Sequence, residues 1–138
     1  MEHLDFKCCK KRGSKAQKLS MWNYGAIRKC VEQKAHLRGI RIATICAWKT
    51  SALAFDGSGS VARDDNNHAL ATFTTGKQYN CDLSASYNIG ARYFIRELLK
   101  SLPATEESRV KAKVPDVGRR TSCTLSTLRT LVKELAAA

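Results

Sequence analysis

Apolar residues between positions 16 and 37 recur every three or four residues, which is the spacing of one face of an α-helix. The stripe comprises Leu19, Trp22, Ala26, Ile27, Cys30, Val31 and Ala35. Gly39 suits the left-handed backbone that commonly follows a helix. The pattern predicts a helix over residues 16–37, with Trp22 packed in the core rather than stacked on a nucleic-acid base.

The pattern then changes to that of strands and turns. Residues 40–46 are rich in β-branched side chains, which favours a strand. Between positions 47 and 80, short apolar runs flank two segments of turn-forming residues, Gly57-Ser58-Gly59 and Asp64-Asp65-Asn66-Asn67. The sequence therefore predicts a strand followed by an irregular insertion, with a short hairpin near residues 52–80.

Helical spacing returns over residues 82–101. The apolar positions are Leu83, Tyr87, Gly90, Ala91, Phe94, Ile95 and Leu98. Asp82 stands where an N-cap belongs, and Pro103 ends the element. Residues 103–120 mix charges with Pro and Gly and are interpreted as a linker. A last short helix is predicted from Leu125, Leu128, Leu131, Val132 and Leu135, with Ser122 or Thr124 as its cap.

Charge adds a functional expectation to this α/β pattern. The 138 residues, enough for one domain, carry 24 Lys and Arg against 12 Asp and Glu, a formal net charge of +12. Such an excess fits a polyanionic partner such as DNA or RNA, although a basic surface without that role is the open alternative. One candidate is the loop of residues 5–18, which either contacts phosphates or is merely solvated. Its basic residues are Lys7, Lys10, Lys11, Arg12, Lys15 and Lys18.

Several other classes of protein find little support in the residues. No apolar run is long enough to span a bilayer and no secretory signal opens the chain, so we expect a cytoplasmic protein without a membrane partner. Its six cysteines are then thiols, and none forms a CxxC pair, so zinc is not expected. No phosphate-binding Gly-rich loop or GxSxG elbow is present. Asp82 lies between a strand-like segment and a helix, where a carboxylate is usually a cap and sometimes a Mg²⁺ ligand.

One family resemblance extends over about residues 1–102. Residues 76–92, with the sequence GKQYNCDLSASYNIGAR, resemble the last catalytic motif of the TnpB or OrfB transposon-encoded nucleases, an Asp followed by Asn-Ala and Asn-Ile on a helix. Residues 34–40 resemble the helix-to-strand junction of that family. Thr50-Ser51 resembles the dipeptide that opens its zinc-ribbon insertion, and residues 1–4 resemble the segment that holds its middle catalytic Glu.

The resemblance implies a partial RuvC or RNase H-like α/β unit at residues 1–102, with an insertion at about 47–80, followed by the linker and helix of residues 103–138. It makes Glu2 and Asp82 two of three carboxylates that bind Mg²⁺ or Mn²⁺ for two-metal phosphodiester hydrolysis. The third, an Asp on the first strand, would lie upstream of residue 1. Arg92, which ends the motif, is grouped with the residues expected to contact nucleic acid.

Two departures from the family pattern bear on metal binding. Where the family often has two CxxC pairs, this chain has Ala54 and Gly57 in the first segment and no Cys in residues 73–76. Ser84 stands where the family usually has Asn. The insertion is therefore expected to fold without zinc.

We accordingly expect a C-terminal piece of an RNA-guided nuclease that binds DNA, and guide RNA if that function persists, without cutting DNA alone. Three alternatives stay open: a small basic repressor-like protein that reuses the fold, a half-nuclease complemented by a separately encoded N-terminal chain, and a decayed fragment without function. The small sheet would have an exposed edge, which predicts marginal stability or self-association.

Overall fold

The computed structural model describes residues 2–3, 24–119 and 121–137 of a mixed α/β chain. Two compact units are distinguished, one extending to Thr44 and the other beginning at Ile45 and including Glu2. The described helices and strands, in chain order, are β1 (Glu2–His3), α1 (Tyr24–Leu37), β2 (Ile45–Cys46), β3 (Ala62–Arg63), β4 (Leu70–Thr72), β5 (Gln78–Asn80), α2 (Cys81–Ser101), α3 (Ala104–Lys113), a 3₁₀ helix (Pro115–Gly118) and α4 (Leu125–Ala136). None of these helices is long and apolar enough to cross a membrane.

The described strands form two small sheets, β1 with β2 and the antiparallel β3-β4-β5. In the second sheet Ala62 pairs with Thr72, and Ala71 pairs with Tyr79. The single hairpin predicted near residues 52–80 is instead a three-stranded antiparallel sheet, with an additional bridge between Leu53 and Ser60. The predicted strand at 40–46 is shorter than expected, since only Ile45–Cys46 has strand structure.

The insertion is held together by an apolar cluster and two tight turns. Ala54, Ala71, Phe73 and Cys81 are buried, and Phe55, Val61 and Tyr79 pack against them. In the turns, the Gly57 amide donates to the Ala54 carbonyl at 3.2 Å and the Gly76 amide to the Phe73 carbonyl at 2.9 Å. Both glycines have left-handed backbone, φ 84° and 80°, a conformation that side chains with a Cβ disfavour.

Helix α2 begins one residue earlier than predicted, and its cap is Asn80 rather than Asp82. The Asn80 Oδ1 accepts the amide hydrogens of Asp82 and Leu83 at 3.0 Å each. Asn80 is extended, φ −68° and ψ 127°, so its short side chain reaches the first free amides of the helix. Asp82 therefore lies inside the first turn, and its carboxylate is not needed to cap the backbone.

The prediction that residues 103–120 form a linker is wrong. Helix α3 and the 3₁₀ helix occupy most of that segment and place Val110, Val114 and Val117 in a second apolar cluster. Ile95, Cys123 and Leu131 complete its buried part. Residues 110, 114 and 117 have helical spacing, but the charged residues among them conceal it.

The predicted last helix is confirmed, and its cap is Thr124 rather than Ser122. The Thr124 hydroxyl accepts the Thr127 amide and the Thr127 hydroxyl accepts the Thr124 amide, a reciprocal cap. Of the first predicted helix, residues 24–37 are helical, whereas residues 16–23 lie outside the described part. Its stripe residues Leu19 and Trp22 therefore also lie outside it.

The apolar stripe predicted for α2 is only partly the buried face. Ala91 and Ile95 are buried, but Leu83, Tyr87 and Phe94 are 44%, 37% and 55% exposed. The inward face is partly polar, because it carries Ser84, Asn88 and Arg92.

Candidate nucleic-acid interface

The positive charge of the chain is concentrated in its first third. Residues 1–44 hold 11 of the 24 Lys and Arg but only 3 of the 12 Asp and Glu, so they carry two thirds of the net charge of +12. The remaining residues are close to charge balance. If a polyanion binds, electrostatics favours the segment of residues 1–44.

Six of the seven predicted basic contacts lie in the loop of residues 5–18. The side chains of Lys7, Lys10, Lys11, Arg12, Lys15 and Lys18 lie outside the described residues. The backbone of Glu2 belongs to strand β1, and its side chain also lies outside the described part. The loop and the middle carboxylate therefore stay predictions.

Helix α1 supplies described cations within the same basic segment. Lys29, Lys34 and Arg38 are exposed there or directly after its end. Arg28 is instead engaged in an ion pair with Glu32, Nε to Oε1 2.8 Å, one turn away. Lys29 and Lys34 are exposed on a helix of this basic segment, so their ammonium groups are accessible to the phosphate oxygens of a bound polyanion.

Arg92 has a different environment from the one expected of a nucleic-acid contact. It is only 5% exposed, and its guanidinium donates to backbone carbonyls. The acceptors are the carbonyls of Cys46 (2.7 Å), Trp48 (2.8 Å), Thr121 (2.6 Å) and Cys123 (3.2 Å). The planar fork of a guanidinium suits several acceptors at once. Arg92 therefore joins α2 to the segments around residues 47 and 122, and this buried position does not present it to a polyanion.

Asn88 makes a second buried connection that sequence reasoning missed. Its side chain is completely buried, and Nδ2 donates to the carbonyls of Thr50 at 3.0 Å and Leu53 at 2.9 Å. Its Oδ1 accepts the Leu125 amide at 3.3 Å, in the first turn of α4. The available signal was an Asn inside a helix, where the residue is a poor helix former and its presence therefore suggests a specific hydrogen bond.

Asp82 is exposed in the first turn of α2, immediately after β5. A carboxylate there is stabilised by the helix dipole. Across residues 24–119 and 121–137, no three or more His, Cys, Asp and Glu side chains are grouped so as to hold a metal ion. The side chain of Glu2 lies outside the described residues, so the divalent-cation site that the family resemblance implies at Glu2 and Asp82 stays a prediction.

The insertion contains apolar residues where the family resemblance places zinc-binding thiols. Ala54 is completely buried and Phe73 is 2% exposed, each at the start of one tight turn. The core of the insertion is therefore stabilised by apolar packing at these two positions.

Cys123 is buried in the helical cluster, where removal from water raises the pKa of its thiol.

Beside that core lies an aromatic cluster under a lysine. Phe55 is within 5.5 Å, centroid to centroid, of Phe73, Tyr79 and Tyr87. The Lys77 ammonium lies 5.2 Å from the Phe55 ring centroid and 5.1 Å from that of Tyr79. The side-chain hydrogen bond with Tyr87 raises the pKa of Tyr79, and removal from water raises it further by a smaller amount. Lys77 is exposed, so this surface combines a cation with aromatic edges.

No protein-family model, curated protein or solved structure matches this chain.

Proposed function

We propose that this chain binds DNA or RNA through the basic segment of residues 1–44. The observation that carries the proposal is the concentration of positive charge in that segment, together with the exposed Lys29, Lys34 and Arg38 on and after α1. Lysine and arginine that neutralise phosphates release condensed counterions, which drives binding and makes it salt-dependent. The rest of the chain then serves mainly as a folded scaffold.

We further propose that the fold derives from the RuvC-like C-terminal portion of a TnpB-type nuclease. The order of features supports this ancestry: strand β2, Thr50-Ser51, two tight turns, strand β5, and a helix with Asp82 in its first turn. The two turns, at residues 54–57 and 73–76, have the four-residue span of a CxxC pair. This ancestry includes the proposal that the described strands and helices derive from RuvC or RNase H-like topology.

The binding proposal is tested by a salt-titrated anisotropy assay on labelled duplex DNA, single-stranded DNA and RNA. The test variant is Lys29→Gln with Lys34→Gln, and the control is Arg109→Gln with Arg129→Gln, which removes the same charge from exposed positions of α3 and α4. If both lysines contact duplex phosphates, the slope of log K against log salt decreases in magnitude by about 1.8. The control variant should keep the wild-type slope. Equal losses in the two variants, or binding that does not respond to salt, would contradict the placement of the interface.

Metal-dependent cleavage is the second candidate, favoured by the exposed carboxylate of Asp82 after β5. The test is plasmid nicking with Mg²⁺ or Mn²⁺ by the chain, by Asp82→Ala, and with a chelator. We expect no nicking by the chain alone, with nucleic-acid binding unchanged in Asp82→Ala. Nicking that both controls abolish would instead establish Asp82 as a catalytic residue. If the chain gains activity only when a second polypeptide supplies further carboxylates, the complementation alternative would be supported.

A further inference from the structure

Trp48 presents its indole to solvent in the turn that follows strand β2. The side chain is 65% exposed, compared with 55% for Phe94 and 37% for Tyr87 on helix α2. Leaving so large an apolar ring in water gives up the free energy that its burial would contribute to folding. Tryptophan is enriched at binding surfaces because its ring offers a large, rigid contact area.

The backbone that carries Trp48 is fixed from inside the fold. The amide and the hydroxyl of Thr50 both donate to the Ala47 carbonyl, at 3.2 and 2.9 Å, which closes a tight turn around Trp48. The buried Arg92 guanidinium donates to the Trp48 carbonyl at 2.8 Å, and Asn88 donates to the Thr50 carbonyl at 3.0 Å. A partner that binds the indole therefore orders only a side chain with two rotatable bonds, at a small cost in entropy.

Lys49, which follows Trp48, is held in an unfavourable backbone conformation. Its φ is 59°, and within the described part of the chain it is the only residue other than glycine with a positive φ. Glycine or asparagine adopts this left-handed conformation at a lower cost. A long cationic side chain at a strained position indicates that the side chain itself has a use.

A second cation lies beside the same turn. Arg63 is exposed on strand β3, and its Nη2 donates to the Ser51 hydroxyl at 2.8 Å. Asp64, the next residue, accepts the Asn66 amide at 2.8 Å within the turn that follows β3. Lys49 and Arg63 thus add two positive charges near the indole.

This combination of groups selects among the partners that an exposed tryptophan could bind. Lysine and other charged residues are depleted at the centre of protein–protein interfaces. An aromatic ring with neighbouring cations instead suits single-stranded nucleic acid, since an unpaired base stacks on the ring and the cations neutralise its phosphates. The net charge of +12 favours the same polyanionic partner.

We propose that the turn of residues 47–50 is a base-stacking site for single-stranded DNA or RNA. An unpaired base stacks on Trp48, and the adjoining phosphates contact Lys49 and Arg63. The proposal rests on nucleic-acid binding by this chain and deepens it, because it gives unpaired strands a contact that a duplex lacks. Within a duplex both faces of a base are already stacked on neighbouring bases, so Trp48 has no free face to bind.

The test is fluorescence anisotropy with labelled oligothymidylate, oligouridylate and a duplex of the same length. Trp48→Ala should weaken binding to both single strands by roughly tenfold and leave duplex binding unchanged. Trp48→Phe keeps an aromatic face and should recover most of the loss. The matched control is Phe94→Ala, which removes an exposed aromatic ring from α2 and should keep wild-type affinity for every probe.

Two further variants report on the site without removing its ring. The chain has two tryptophans, so Trp22→Phe leaves Trp48 as the only tryptophan fluorophore. Single strands should quench its emission by stacking, whereas the duplex should not. Lys49→Asn keeps a residue that accepts the left-handed backbone and removes the charge. If Lys49 contacts a phosphate, the single-strand salt slope should decrease in magnitude by about 0.7.

The outcomes separate this site from the basic segment of residues 1–44. Absence of binding to every probe would refute nucleic-acid binding and the stacking site together. Binding that Lys29→Gln with Lys34→Gln weakens, but that Trp48→Ala leaves unchanged for single strands, would keep the basic interface and overturn the stacking site. Equal losses in Trp48→Ala and Phe94→Ala would also overturn it. So would self-association that Trp48→Ala abolishes without changing single-strand affinity, because the indole would then bind protein.

Discussion

Replacing Asn88 by Ala tests whether a single buried amide joins the insertion to helix α4. The side chain donates to the carbonyls of Thr50 and Leu53 and accepts from the amide of Leu125. Alanine leaves all three backbone groups without that partner. Each unsatisfied buried group costs about 1–3 kcal/mol, and the lower figure applies where water can enter.

The magnitude follows from the burial of each contact. The hydrogen bond to Thr50 is completely buried, so its loss should cost about 2 kcal/mol. The bonds to Leu53 and Leu125 are partly buried, so the loss of each should cost about 1 kcal/mol. The better helix propensity of alanine offsets about 0.6 kcal/mol of this destabilisation. We therefore expect Asn88→Ala to lower the free energy of unfolding by about 3 kcal/mol.

The assay is urea unfolding followed by circular dichroism, with Ser86→Ala as the control on the exposed side of the same helix. Asn88→Asp is the sharper companion variant, because it keeps the shape and the acceptor but replaces both donors with an ionised oxygen facing two carbonyls. It should destabilise at least as much as Asn88→Ala. A loss below about 1 kcal/mol in both variants, relative to the control, would refute the reasoning that these bonds hold the two elements together.

Three further predictions concern the buried contacts. Arg92→Lys removes the planar guanidinium, which donates to carbonyls of the segments around residues 47 and 122, so thermal unfolding should show a loss of about 2 kcal/mol or more in the free energy of unfolding. An unchanged salt slope for nucleic-acid binding by this variant would separate the structural role of Arg92 from phosphate contact. Phe73→Ala should cost about 3–5 kcal/mol in urea unfolding because Phe73 is 2% exposed, and a wild-type melting temperature that falls on addition of a chelator would contradict a core without metal. Burial raises the pKa of the Cys123 thiol, so its contribution to stability is complete below the ordinary thiol pKa of 9.0 and is lost as pH rises through the folded-state pKa. A Cys123→Ala variant should show a weaker decline of stability above that pH, and equal declines would show that another group titrates.

Local sequence patterns were sufficient for much of the secondary structure. The turns within residues 52–80 and the limits of helix α2 depend on contacts between near neighbours, so turn residues and Pro103 predict them well. Helix α3 was missed because Val110, its buried residue, and Val114, which follows its last residue, are surrounded by charge. Their burial results from packing against α4 and the 3₁₀ helix, which the local sequence pattern does not indicate.

The orientation of α2 could not be predicted from its apolar residues. Hydrophobic periodicity places Tyr87 and Phe94 inward, but the helix turns Asn88 and Arg92 toward the interior. Those two side chains have partners distant in sequence, on segments around residues 50 and 123. Burial of a polar group is favourable only when such partners are present, and sequence periodicity contains no information on them.

The hydrogen bonds of Asn88 and Arg92 also change what the nuclease-like motif implies. Within residues 76–92, Asn88 and Arg92 are used by the fold itself, whereas Asp82 is exposed and its side chain does not cap the helix. Asn88 and Arg92 therefore stabilise the fold, whether or not the chain cuts nucleic acid. Asp82→Ala should cost only the interaction of a carboxylate with the helix dipole, about 0.3–1 kcal/mol, against about 3 kcal/mol for Asn88→Ala. If Asp82→Ala proves as destabilising as Asn88→Ala in the same urea assay, Asp82 has a structural partner, and its resemblance to a catalytic residue loses its value as evidence for nuclease ancestry.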